Sequence, residues 1–453
     1  MAEVLLSPGV LARENDQSFL QRQPIQAGAA ILGPTVKGPV GIPTIVTSYS
    51  DYQNKFGAIV ISGSNEYTYF TSISAYNYFQ QGGDSLLVSR IVSGSYTSAT
   101  SSFISNSLAT NAFSLNTLSE GVAQNSNSTL GSKGQLPSGS DDNVRWEIVS
   151  PNTSSGTFSL LIRRGNDITN QKTILETWAD LSLDPNASNY ISKIIGDQSL
   201  TVKNDGTTYY TQLTGSYANA SRYVRVTSVN TPTLNFFDNA GDAKSEYTSS
   251  IPIAASGTLG GALGTDFFNT VANFTSDINS TNTQGLVEDN YTTTISLLAN
   301  QDEYKYNLIV APGLYKTDYS APLTSIISNT QTRGDAIAVI DTVKYAQTIT
   351  AVKTEASGID SSYAATYWPW LQTIDPDLGK QSWVPASTMI PGVFAFNDNS
   401  SEAWFAPAGL NRGGLSTVLR AERKLTNGNR DSLYQSNVNP IATFPNAGVV
   451  VFG

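Results

Sequence analysis

Apolar residues recur along this chain in two rhythms. Near-continuous runs of strand length stand at IQAGAAILG (25–33), SLLVSRIV (85–92), NLIVAPGL (307–314) and DAIAVID (335–341). Such runs suit parallel strands covered on both faces. Between the first two, TIVTS predicts a short strand and SDYQNKFG a short helix closed by Gly57. EYTYFTSISAYNYFQQGG then sets Tyr69, Ile73 and Tyr76 on one helical face, with Gly82 as the stop. After NLIVAPGL, helical spacing returns in PLTSIISNTQT, near 416–425 and around RDSLYQSN, and GVVVF is a last strand. YAATYWPWLQT predicts a strand in which Pro369 marks an edge position or a strand end.

The second rhythm is alternation, and it begins near residue 95, where the composition shifts to Ser, Thr, Asn and Gly. Val144, Trp146 and Ile148 point one way in NVRWEIVS, as do Phe158, Leu160 and Ile162 in FSLLIRR. PNTSSGT between them predicts a hairpin. YVRVTSV is a further strand. In ADLSLDPNASNYISKIIGD, Asp184 as N-cap, Pro185 at the first turn and Gly196 past the end predict a helix. GTLGGALG (257–264) reads as a flexible join. The pattern predicts an α+β/α/β multidomain chain. Its discontinuous α/β core domain lies at 25–94 and 301–453 and carries a large β-rich insertion at 95–230 and a second inserted segment at 231–300, behind an arm at 1–24.

Composition narrows the chemistry. The chain has no cysteine, which removes disulfides, thiolate nucleophiles and zinc–thiolate sites. It has no histidine, which removes the commonest general base and metal ligand. Carboxylate-only catalysis stays open. Yet the pairs Asp141-Asp142 and Glu288-Asp289 are sequence neighbours, which point to opposite faces of a strand. No catalytic, metal or cofactor residue is therefore assigned. Charged residues make up 14%, below the ~25% of ordinary globular chains. A weakly charged surface repels copies of itself little, which suits self-association. The net charge is −10, and residues 96–300 hold 17 acidic against 10 basic residues. That balance speaks against non-specific nucleic-acid binding. No apolar run reaches the ~18 residues of a membrane helix, so no membrane insertion is expected. MAEVLLSPGVLARE lacks the basic start and long apolar stretch of a secretory signal, which predicts folding in a cytoplasm.

Among short motifs, the Arg333-Gly334-Asp335 tripeptide precedes a buried strand and reads as a chance match to an adhesion signal. DPDLG (375–379) lacks the glutamate of a calcium loop and reads as a turn. The basic stretch 411–430 is more informative: Arg412, Arg420, Arg423, Lys424 and Arg430 face one acid, Glu422. Arg420 and Lys424 would share a helix face, with Arg423 beside them. Two readings stand, a solvated helix or a dock for an acidic partner.

LLSPGVLARENDQS, FQQGGDSLLVSRIV, LSLDPNASNYISKIIGD with GSYANASRYVRV, NLIVAPGL, RGDAIAVID, SSYAATYWPWLQTIDP, AWFAPAGLNRGGL and NVNPIATFPNAGVVVFG follow one another along the chain. In type and order these segments resemble the tail sheath proteins of contractile-tailed bacteriophages. The resemblance implies a non-enzymatic virion subunit, without cofactor, that stacks as hexameric rings and contracts to drive a tube through the host envelope. The implied partners are further copies of itself, the tail tube protein, and baseplate and tail terminator proteins. The implied place is the virion tail, assembled in the bacterial cytoplasm. It also implies a basic segment and an arm beyond Gly453, where this sequence stops. On this reading Val4, Leu6, Val10 and Ala12 alternate along an intersubunit arm bent at Pro8-Gly9. Trp404, Phe405 and Pro407 position the basic helix within the core, and Arg420, Arg423 and Lys424 face an acidic inner tube. Direct partner contact by Trp404 is the alternative to a core position. Rival readings are the sheath of a bacteriocin or secretion machine, and a tail-borne carboxylate glycan hydrolase.

Overall fold

A computed structural model of the chain describes residues 25–62, 65–105, 110–206, 208–264, 291–402 and 404–453. Its largest element is an eight-stranded sheet. The strand order is Thr44–Val46, Leu86–Arg90, Ile25–Gly33, Tyr304–Tyr315, Ile337–Asp341, Ala364–Trp368, Asn439–Phe444 and Gly448–Val451. The six inner strands are parallel, and only the two outermost pairings are antiparallel. Ala30 pairs with Leu87 on one side and with Ile309 on the other. The two ends of the chain therefore interleave in one sheet. Among the described residues, no strand between Arg90 and Tyr304 enters it.

The continuous apolar runs follow from burial on both faces. Successive strand residues point oppositely. Ile31, Val88, Val310 and Val339 thus enter one core, with helices Tyr49–Phe56, Phe70–Gln80 and Ile390–Ser400. Ala30, Leu87, Ile309 and Ala338 enter the other, under Thr292–Leu298 and Ser320–Arg333. Helix Phe70–Gln80 is buried on nearly every side, so the single apolar face at Tyr69, Ile73 and Tyr76 is too narrow a description. It is wedged between the sheet and helix Ile390–Ser400, where Asn77 Nδ2 donates to the Met389 carbonyl at 3.0 Å. Pro369 falls between two strands, Ala364–Trp368 and Leu371–Ile374, and the first is flanked on both sides, so Pro369 marks a strand end.

The middle of the chain builds two facing sheets. One is ordered Ile174–Ser182, Thr157–Arg164, Val144–Asn152, Ala255–Thr258; the other Val224–Val229, Asn111–Glu120, Ser98–Ile104. Phe103, Phe113, Trp146 and Phe158 pack together at their shared core, with Phe103 and Phe113 stacked at a ring-centroid distance of 4.2 Å. Two expectations fail here. The helix read from the Asp184 N-cap to Gly196 is only Ile191–Ile195, because Asp184 instead accepts from the Asn186 N–H in a tight turn. The supposed flexible join at 257–264 is held instead: Gly257 and Thr258 end a strand, Ala255–Thr258, paired along Arg145–Ile148, Leu259 is buried and Gly260 bridges to Thr100. Gly257 is required there because the Trp146 ring lies 2.5 Å from where its Cβ would stand.

Several contacts fasten this sandwich to the large sheet. Buried Arg90 donates at 2.8 Å to the carbonyls of Gly38 and Glu120. The Glu120 carboxylate accepts from the Val40 N–H at 3.0 Å. Lys37 meets Asp142 at 3.5 Å. The hairpin Ser199–Asn204/Tyr209–Thr214 lays Val202 and Tyr209 on the second core, and Thr211 donates to Glu303.

Candidate interaction surfaces

The basic stretch does not form the expected helix. Val418–Ala421 is a strand in a small antiparallel sheet with Leu371–Ile374 and Gln381–Val384. Cross-strand pairing with Leu371–Ile374 overrides the local spacing, so Arg420 and Lys424 share no helix face. Gln372 lies opposite both Trp383 and Arg420. Arg420 Nε donates to Gln372 Oε1 at 2.7 Å, and its guanidinium stands 5.4 Å from the Trp383 ring centroid. Tyr345 packs on Trp383 at 5.2 Å. Arg423 and Lys424 follow the strand and are exposed. The one acid, Glu422, is half-buried, and burial raises its pKa.

Trp404 and Phe405 do not lie in the core: they are 79% and 42% exposed. Their segment covers the edge strand Gly448–Val451 with its backbone, through Gly409 N–H to the Val451 carbonyl and Val451 N–H to the Gly413 carbonyl. The backbone makes the contact and the rings are left outward. Pro407 is half-buried in the same loop, and Arg412 stacks 4.5 Å from the Phe405 centroid. Val4, Leu6, Val10 and Ala12 lie outside the described residues, as do Glu288 and Asp289.

The other motifs resolve into structural roles. Arg333 is buried and forks onto Asp335 at 2.9 Å. It also donates at 2.8 Å to the carbonyls of Leu298 and Tyr304 and lies 4.2 Å from the Tyr306 ring centroid. That tripeptide joins a helix end to the strand Tyr304–Tyr315. In the DPDLG turn, Asp375 accepts from the N–H groups of Asp377 and Leu378. Asp377 accepts from Tyr49 Oη at 2.5 Å and Gln53 Nε2 at 2.8 Å. Asp141 pairs with Arg164 and Asp142 with Lys37, so they serve different contacts. Among the described residues no group of three potential metal ligands converges, and no helix is long and apolar enough to cross a membrane.

Sequence reasoning passed over two features. One is the buried ion cluster of Arg145, Arg163 and Asp167, with Arg163 also reaching Glu147 at 3.1 Å. Arg163 with an aspartate four residues on, Asp167, was its signal. The other is an exposed tip of the chain's middle part, at 234–246. Leu234 and Phe237 are each 48% exposed beside exposed Asp238, Asp242 and Glu246. Asp238 accepts from the N–H groups of Ala240 and Asp242, and buried Phe236 supports Phe237 edge-on at 5.2 Å. Its DNAGD turn was visible in the sequence.

Residues 284–453 match the model of the phage tail sheath protein central domain. This chain carries a phage tail sheath domain. The sheath domain supplies five of the eight strands of the large sheet, from Tyr304–Tyr315 to Gly448–Val451. Over 102 residues the chain is 35% identical to the tail sheath protein of Vibrio phage KVP40, covering 22% of this chain and 14% of that relative. Over 95 residues it is 35% identical to the tail sheath protein of Enterobacteria phage T4, covering 21% of this chain and 14% of the relative. The matched stretch thus spans a small part of these longer relatives. A sheath tail protein from Listeria innocua shares the fold: 11% identity, TM-score 0.51, with 96% of this chain and 70% of that one covered.

Proposed function

We propose that the chain is the structural subunit of a contractile tail sheath, stacked as hexameric rings around an inner tube and shortening to drive that tube through an envelope. The observation that carries this is the sheath domain at 284–453, completed into one sheet by strands from 25–90. The division proposed is an α/β unit at 25–94 and 301–453, inserted segments at 95–230 and 231–300, and an intersubunit arm at 1–24.

A helical sheath needs one patch meeting a different patch on the next copy, so that growth does not close. Contraction then switches rigid subunits between two packings, each copy needing only a small bias. Doubly covered parallel strands suit a body that must keep its shape while its contacts change. The fastening at Arg90, Lys37 and the 199–214 hairpin favours an insertion carried with the α/β unit rather than swinging freely. Baseplate, terminator and tube are the partners proposed, with the virion tail as the place and the bacterial cytoplasm as the site of assembly. The sheath of a bacteriocin or secretion machine would use the same mechanics. Negative-stain microscopy of the concentrated full chain tests the proposal: rings or tubes are expected, and dispersed monomers under all conditions would refute it.

A further inference from the structure

The small sheet of Leu371–Ile374, Gln381–Val384 and Val418–Ala421 presents a face unlike the rest of this acidic chain. Trp383, Tyr345 and Arg420 are stacked on it, and Ile374 is 49% exposed at its end. Around it Lys380, Arg423 and Lys424 are exposed and Lys344 is half-buried. The neighbouring acids are turned inward: Asp375 caps its own turn, Asp377 holds Tyr49 and Gln53, and Glu422 is half-buried. The face is therefore cationic with an apolar, aromatic centre.

The tip at 234–246 is its converse. Leu234 and Phe237 form an exposed apolar centre, and Asp238, Asp242 and Glu246 surround it. Its single cation, Lys244, is folded back toward the Leu234 carbonyl and the Tyr247 ring. The tip is short, internally hydrogen-bonded and anchored by buried Phe236, so little ordering cost accompanies its docking. Among the described residues no ion pair links tip and face within one chain.

We infer that the cationic aromatic face of one subunit receives the acidic apolar tip of a second copy. The two patches are different and sit on different parts of the chain, so the contact is head-to-tail and propagates. Opposite charge around apolar centres sets register and speeds encounter, while exposed pairs stay weak enough to be exchanged. This inference rests on the sheath reading and names one contact within it. An acidic tube on the same face is the competing occupant.

Four full-length proteins test it: wild type, Asp242→Lys with Glu246→Lys, Arg423→Glu with Lys424→Glu, and all four together. Each changed side chain is exposed, and equal thermal midpoints establish folding. The readout is the critical concentration for assembly, by sedimentation and microscopy. Each double reversal is expected to raise it about tenfold, and the quadruple variant to recover it. Unchanged assembly in both doubles would overturn the inference and leave the sheath reading intact. Loss of tube co-assembly in the Arg423/Lys424 variant, with self-assembly untouched, would assign the face to the tube instead. A wild type that never assembles would remove the sheath reading and this contact with it.

Discussion

Asp341 ends a central parallel strand, is buried, and has both carboxylate oxygens occupied by Ser387, one by its N–H and one by its hydroxyl. Among the described residues no cation pairs with it, and desolvation pushes its pKa up to about 7. A raised carboxyl pKa means the native state holds a proton that the unfolded chain has already released. The stabilising contribution is present below the unfolded value of ~3.9 and is lost as pH rises through about 7. Glu120, Asp142 and Asp377 are also shifted upward by burial and add the same sign. Thermal midpoints should therefore fall between pH 5 and pH 7.5, and the fall should be shallower in Asp341→Asn. Arg333 is a second decisive residue. Arg333→Ala leaves two backbone carbonyls and Asp335 without their donor and should cost ~3 kcal/mol in denaturant unfolding. Arg333→Lys should recover little, because an ammonium cannot fork.

At the scale of elements, Gly257 distinguishes a strand from a linker. In a flexible join Gly→Ala is neutral or stabilising. Beneath Trp146 it should instead cost about 1–3 kcal/mol, measured as a shift in urea midpoint. The same segment shows what sequence could and could not reveal. NLIVAPGL, DAIAVID and SLLVSRIV were legible because burial on both faces demands unbroken apolar runs. NVRWEIVS and FSLLIRR were legible because their core-facing apolar residues alternate with mostly polar ones, half-buried at Glu147 and Ser159 and ion-paired in the buried cluster at Arg145 and Arg163. GTLGGALG and the stretch at 416–425 were not, since their state depends on strands far away in sequence, Val144–Asn152 and Leu371–Ile374. Trp404 misled for a related reason. Aromatic character signals burial, but nothing local reveals that its loop covers an edge strand by backbone alone. The cationic face became visible as a surface only once the strands at 371–374, 381–384 and 418–421 had been brought together.

For the whole molecule, the joint between sandwich and large sheet decides whether the subunit moves as one body. Arg90→Met removes two hydrogen bonds to carbonyls on opposite sides of that joint. Hydrogen exchange should then rise at 36–41 and 117–122, with a global loss of ~2–3 kcal/mol. Exchange confined to one side would indicate that the other contacts suffice. The sheet itself carries a temporal consequence. Ile25–Gly33 acquires its neighbour Tyr304–Tyr315 only after most of the chain has left the ribosome. Until then its apolar flank stays open, and closure must span a very long loop, which slows folding and exposes the nascent polypeptide to aggregation. On the proposed sheath reading, a half-made chain could not enter a growing polymer, because the body that neighbours would grip would not yet exist.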